Sequence, residues 1–459
     1  MNEYQEFLET KRNDFRPDGL LESSIPGSLF GFQRDVVEWA LRRGRASIFA
    51  DCGMGKTPMQ LAWAANIPGR VLILAPLAVS AQTVREGAKF GIPVVYARYP
   101  EAAPAAQITI TNYEMFQHFD PGEYTAVVLD ESSILKSYTG KFRNQLISAW
   151  ASTRYKLACT ATPAPNDFME LGNHAEFCGS MSRAEMLAMY FVHDGGETQK
   201  WRIKGHAQSP FWEWVCSWAV NISKPSDLGY PNDGFDLPPL EITPHSVGGD
   251  VVPEGMLFAM EARTLEERRN ARRATIAERV SKTTELAQHN RPMVVWCNLN
   301  AESAAATKAI DGAVEIKGSD SNEHKERAML GFADGSIRVL VTKPSIAGFG
   351  LNWQHCADVA FLGISDSYEQ FYQAVRRCWR FGQKNTVTVH VVTAETEGAV
   401  VRNIERKEHD AAVMRESMVA NMGDITRKTI KATSQVKTEY RATMKMDLPE
   451  WLPRPRMSK

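Results

Sequence analysis

From Ser47 to about Leu157, short apolar runs alternate with helix-like segments. The runs are Ala46–Ala50, Val71–Ala75, Gln107–Thr111, Ala126–Leu129 and Tyr155–Ala158. They are short, several are rich in β-branched residues, and they are bounded by Gly, Pro or polar residues, which is the pattern of parallel strands buried on both faces. A second series begins at Pro292 with Met293–Cys297, Val314–Ile316, Val339–Thr342, Val359–Leu362 and Thr386–Val392. Helical spacers such as Glu302–Ile310 and Glu323–Phe332 lie between these runs. Strand–helix alternation of this kind predicts an α/β protein made of two doubly wound parallel-sheet lobes in tandem.

The segment from Met181 to about Pro244 fits neither series. It is rich in Trp, Gly and Pro and ends in Asp236-Leu237-Pro238-Pro239-Leu240, which reads as a linker. Inside it, Phe211, Trp214, Val215 and Trp218 follow helical spacing, so a packed face is favoured over a base-stacking surface. The expected division is a first lobe over 1–180, a Trp-rich insert and linker over 181–245, a second lobe over 246–420, and a basic, partly disordered tail over 421–459. Glu254–Asn290 reads as one or two charged helices, and the Pro-rich end beyond Leu448 as unfolded chain.

Composition narrows the function classes. The 459 residues carry a net charge of −1 and 44% hydrophobic residues, ordinary for a globular chain with more than one core. Any nucleic-acid surface must therefore be local. The seven cysteines are scattered without a C-x-x-C pair, which argues against zinc and a disulfide framework and suggests a reducing cytoplasm. Met1–Phe15 is too polar for a signal peptide, and no apolar run is long enough to span a bilayer, so no membrane role is expected.

The chemistry concentrates in three places. Ala50-Asp51-Cys52-Gly53-Met54-Gly55-Lys56-Thr57 follows a strand and opens a helix. This is a phosphate-binding loop of the Walker A kind, although Ala50 stands where the general pattern has its first glycine. Gly53, Met54 and Gly55 would offer backbone N–H groups to phosphates, Lys56 would reach the β/γ-phosphates, and Thr57 would hold Mg²⁺. Val127-Val128-Leu129 then ends in Asp130-Glu131. Two carboxylates at a buried strand end suit a metal and a water, with Asp130 completing the Mg²⁺ site and Glu131 deprotonating the attacking water. Far along the chain, Gln373 precedes Arg377 and Arg380 on what reads as one helix face. These arginines are candidates to neutralise charge developing on a γ-phosphate. Gly350, in Gly348-Phe349-Gly350-Leu351-Asn352, is a candidate for close backbone approach to phosphate or sugar.

In order, these elements resemble the motif series of superfamily-two helicases, most closely the Swi/Snf-type DNA translocases, over about Phe30 to Val392. Phe30-Gly31-Phe32-Gln33 resembles the glutamine motif, Leu74-Ala75-Pro76-Leu77 motif Ia, Ile110 through Glu114 motif Ib, and Thr160-Ala161-Thr162-Pro163 motif III. Asp130-Glu131-Ser132-Ser133 is similar to the D-E-A-H box with Ser133 in the histidine position. Lys317-Gly318-Ser319, Ala347 through Asn352 and Gln373 through Gln383 resemble the D-G-S, A-G-G-L-G-L-N and Q-A-x-x-R-x-x-R-x-G-Q elements. The resemblance implies RecA-like lobes with an ATP cleft between them, adenine read by Gln33, and a Mg²⁺- and ATP-dependent motor on duplex DNA. RNA is the alternative polymer, and an ATP-switched clamp the alternative activity. A track across both lobes would include Pro76, Gln82, Thr111, Asn112, Asn298, Lys343 and Ser345.

Overall fold

A computed structural model describes residues 19–136, 140–164, 167–193, 201–248, 272–347, 352–365, 367–394 and 398–434. Gly350, Met1–Phe15, the first part of the charged stretch and the Pro-rich end lie outside the described residues.

The first sheet contains β1 (Arg45–Ala50), β2 (Val71–Ala75), β3 (Val95–Tyr96), β4 (Ile108–Asn112), β5 (Ala126–Asp130) and β6 (Tyr155–Thr160). A small antiparallel hairpin, β7 (Phe191–His193) with β8 (Trp201–Ile203), stands outside it. After the hairpin, β9 (Ala219–Ile222) joins the same sheet. The order is β3-β4-β2-β5-β6-β1-β9, with parallel pairing throughout. The side chains of β2 and β5 are buried along their whole length, which is why their sequences are nearly continuous apolar runs.

The second sheet runs β10 (Leu240–Val247), β15 (Val387–Ala394), β14 (Asp358–Phe361), β11 (Met293–Trp296), β13 (Val339–Thr342) and β12 (Ala313–Glu315), again all parallel. The α/β expectation of two parallel-sheet lobes is met.

The Met181–Pro244 segment departs from its expected character. It gives β9 to the edge of the first sheet and begins β10 at the edge of the second, so it completes both lobes. Its helix Gln208–Trp218 buries Phe211, Trp212 and Trp218 in the first-lobe core, in keeping with the helical spacing of its aromatic residues. The helix Gly398–Ser434 passes through position 420 without a break. It packs Ala411 against the second-lobe core and Met418 and Met422 into the first. One helix therefore touches both lobes.

Candidate nucleotide site between the lobes

β1 and β5 run parallel in the same sheet, so the chain leaves their C-terminal ends on one side. There the phosphate loop and the acid pair meet. The loop is tied back by Asp51 N–H to the Ile222 carbonyl (2.9 Å) and Met54 N–H to the Asp51 carbonyl (3.2 Å). Gly53 and Gly55 have φ of 91° and 80°, conformations open to glycine at little cost. At Gly55 a Cβ would lie 2.2 Å from Nε2 of Gln33. That amide is fixed: it donates to the Met54 carbonyl at 2.9 Å, while Oε1 accepts from Phe30 N–H at 3.1 Å. Gln33 thus braces the loop from behind and also faces the cleft. Met54 turns its side chain into the first-lobe core, which leaves only its backbone for the loop.

Lys56 begins the helix Lys56–Asn66 and donates from Nζ to the Ala50 carbonyl at 2.9 Å. Asp130 ends β5, and its Oδ1 accepts from Nε2 of Gln60 at 2.7 Å. Glu131 has φ of 56°, a left-handed conformation found at no other non-glycine position among the described residues. Such strain persists where surrounding structure imposes it. Here Thr160 Oγ1 donates to Glu131 Oε1 at 3.0 Å, and Gln373 Nε2 reaches the same oxygen at 3.2 Å. Burial raises the pKa of both carboxyls. For Asp130 the Gln60 hydrogen bond and then Lys56 oppose the rise, and for Glu131 Lys56 does.

Gln373 belongs to the helix Tyr368–Val375 in the second lobe. Arg377 and Arg380 were expected on that helix and are not. The helix ends at Val375, and 376–378 form turns. The ending is tertiary in origin: Trp353 N–H takes the Arg377 carbonyl at 2.9 Å, and Nε2 of Gln383 takes the Cys378 carbonyl at 3.2 Å. Both arginines still line the cleft, opposite Lys56 and Glu131. Burial lowers both guanidinium pKa values, and Arg380 adds to the effect on Arg377, which falls to about 10. The cleft holds about 400 Å³, within the usual range of about 300–1,000 Å³ for small-ligand sites.

Thr57 and Asp130 line the same cleft. Among the described residues no group of three or more His, Cys, Asp or Glu is placed to hold a metal.

Residues 277–382 match the model of the helicase conserved C-terminal domain. The match falls within the second lobe. The chain is 23% identical over 432 residues to the mouse (Mus musculus) "DNA annealing helicase and endonuclease ZRANB3", covering 83% of this chain and 39% of that protein. It therefore spans well under half of that relative's length. It is also similar to a solved structure described as "Sulfolobus solfataricus SWI2/SNF2 ATPase core in complex with dsDNA", at 15% identity and TM-score 0.42, covering 90% of this chain and 98% of that one. The domain match and the ZRANB3 similarity make the chain similar to helicases, in the same sense as the ordered motifs.

The second lobe also walls a second cavity of about 1,020 Å³. Pro76 and Ser345, two of the track candidates, line it. Arg85 pairs with Glu326 across it at 3.1 Å, and Lys136 pairs with Glu369. Three other track candidates stand elsewhere. Thr111 is buried in β4, a strand inside the sheet, Gln82 lines the nucleotide cleft and bonds Glu86, and Asn298 lines a small pocket beside Gln370. Asn112 is almost buried and lies within reach of Ser80 and Tyr96, each at 3.5 Å.

The motif pattern assigns no role to Gln60, Asp51 or Arg376. Gln60 sits four residues after Lys56, one helical turn on, so helical periodicity could have placed it beside the loop. Among the described residues no helix is long and apolar enough to cross a membrane.

Proposed function

We propose that the chain couples hydrolysis of Mg²⁺-bound ATP to movement along duplex DNA. One observation carries this reading. Lys56 and Glu131 from the first lobe face the same cleft as Gln373, Arg377 and Arg380 from the second lobe. A site assembled from two lobes links the state of its substrate to the angle between them. The name of the curated relative supports DNA as the polymer.

In this mechanism Lys56 exchanges the Ala50 carbonyl for phosphate oxygens. Thr57 and Asp130 would hold Mg²⁺, which supplies neutralising charge on the phosphates. Gln33 faces the base end of the cleft, where Phe30 also stands. Glu131 is held by Thr160 and Gln373, so its free oxygen is aimed while its proton affinity is raised by burial. A carboxylate of raised pKa is a better base for an attacking water. Arg377 and Arg380 approach from the other lobe and stabilise charge on the transferring phosphoryl group. Gln373 senses whether Glu131 is in place, since it holds the same carboxylate across the interface.

The test is ATP hydrolysis measured with no polymer, single-stranded DNA, duplex DNA and RNA, for the parent and for Lys56→Ala. Duplex DNA stimulates the parent, Lys56→Ala is inactive, and the parent displaces a triplex strand. Equal rates with and without any polymer would remove the motor reading. Stimulation by RNA alone would replace DNA with RNA, and stimulation without triplex displacement would leave a clamp.

A further inference from the structure

The arginine between Val375 and Arg377 has a role that the motif pattern leaves open. Arg376 Nη2 lies 2.5 Å from Oδ2 of Asp51, with only 5% and 13% of the two side chains exposed. Asp51 is the first residue of the phosphate loop. Its Oδ1 accepts from Tyr372 Oη at 2.5 Å and from Cys52 N–H, within its own loop, at 2.6 Å. Arg376 also reaches the Cys52 carbonyl at 3.4 Å. Its guanidinium stands 4.8 Å from the Trp379 ring centre and 5.5 Å from that of Tyr372, so it is held on two sides. Arg415, from the helix that touches both lobes, stands 5.4 Å from the Tyr372 ring on the same network.

We infer that Asp51 and Arg376 form an interlobe positioning pair that holds the phosphate loop in register with the turn carrying Arg377 and Arg380. Two features give the pair this task. It joins the backbone of one functional loop to the side chains flanking the other, and it is nearly closed to solvent. Arg376 is adjacent in sequence to Arg377, so a displacement of Arg376 moves Arg377 with it. Asp51 is two residues from Gly53, so the same displacement reaches the phosphate loop. Neither residue is required to touch the reacting atoms. The inference rests on the proposed ATP site and deepens it.

The charges agree with the geometry. Burial alone would raise the Asp51 carboxyl, but Arg376, Arg415 and the Tyr372 hydroxyl outweigh it and hold it at about 2. Burial would lower the Arg376 guanidinium, and Asp51 reverses this, so its pKa is raised. The pair stays charged across the working pH range.

The test has two arms on the full chain, with Asp51→Ala, Arg376→Ala, the double variant and Arg376→Lys. The first is hydrogen–deuterium exchange without nucleotide. Asp51→Ala should raise exchange across 372–380, and Arg376→Ala should raise it across 51–57. Changes confined to the mutated segment would overturn the inference. The second arm is ATP turnover with duplex DNA. Each single variant should lose kcat by about tenfold or more while KM for ATP stays within about threefold, as for groups that act in the transition state rather than in binding. The double variant should be no worse than the poorer single one, and Arg376→Lys should recover part of the rate. A KM rise matching the kcat loss, or losses that multiply in the double variant, would overturn the pair as a positioning device. If the parent hydrolyses no ATP, the proposed function fails, and the exchange arm still decides whether the pair couples the two segments.

Discussion

Replacing Gly55 by alanine tests the phosphate loop and its brace together. Gly55 has φ of 80° and caps the helix Lys56–Asn66 in a left-handed conformation. An L-residue there costs about 1–2 kcal/mol. The added Cβ would also sit 2.2 Å from Gln33 Nε2, far inside van der Waals contact. Gln33 is 4% exposed, and that nitrogen donates to the Met54 carbonyl, so it cannot swing away without breaking a buried bond. Losing the bond adds about 1–3 kcal/mol. Gly55→Ala should therefore destabilise the first lobe by about 2–5 kcal/mol, combining the two terms. Gln33→Ala alone should cost about 1 kcal/mol, since it removes the bond without a clash. In the double variant the steric part vanishes, so its cost should fall short of the sum by about 1 kcal/mol or more. Urea unfolding followed by tryptophan fluorescence reports this, because Trp39 and Trp63 are buried in the core beside the loop. Strict additivity, or a Gly55→Ala cost below about 0.5 kcal/mol, would refute the claim that Gln33 braces this loop.

Other outcomes follow from the same geometry. Glu131→Gln should abolish ATP turnover while nucleotide still binds, and Arg380→Ala should cut kcat by about 10³ with little change in KM; equal losses in affinity and rate would refute the finger role. Arg279 and Glu302 are fully buried and paired at 2.7 Å in the second lobe. Glu302→Ala leaves that buried charge without its carboxylate and frees the Asn298 and Leu299 N–H groups, so the lobe should lose about 3–5 kcal/mol in calorimetry or urea unfolding. His174 is buried against Phe49 and Ser132, and burial lowers its pKa from 6.5 to about 4. The unfolded chain takes up this proton first, so stability should fall as pH drops from about 6.5 to about 4, by about 3 kcal/mol from this group, and level below. A pH-stability slope unchanged in His174→Gln would show that the group contributes nothing there.

What the sequence made visible and what it hid follow different physics. Val71–Ala75 and Val339–Thr342 were placed to the residue because interior parallel strands must be apolar on both faces. Edge strands lack that constraint. β10 alternates between half-buried and exposed positions and contains Pro244, which an edge strand tolerates. It therefore looked like linker. β9 follows the helix Gln208–Trp218 directly, without the Gly or Pro that would have announced a change. Phosphate loop and acid pair were legible because their chemistry is local: a turn, a helix start and a strand end. The end of the helix at Val375 was not, because Trp353 and Gln383 impose it from other parts of the chain. The Asp51–Arg376 pair spans 325 positions of sequence, and no periodicity links its members.

One short helix, Tyr368–Val375, shows how the two cavities can act together. Glu369 at its start pairs with Lys136 at the wall of the larger cavity. Tyr372 and Gln373, one turn later, hold Asp51 of the phosphate loop and Glu131. A helix of eight residues is about 12 Å long and has no room to bend independently at each end. A polyanion that drew Lys136 away from Glu369 would free the first turn, and the next turn carries the groups that hold the loop and Glu131. Glu369 also contributes to the raised pKa of Glu131, after burial and Asp130, so its movement changes the electrostatics of that carboxylate as well as its geometry. Stimulation of turnover by a polymer then needs no long relay. It needs this helix to be rigid, and Lys136→Gln, which likewise leaves Glu369 without its partner, to raise turnover without DNA while reducing the further gain that DNA supplies.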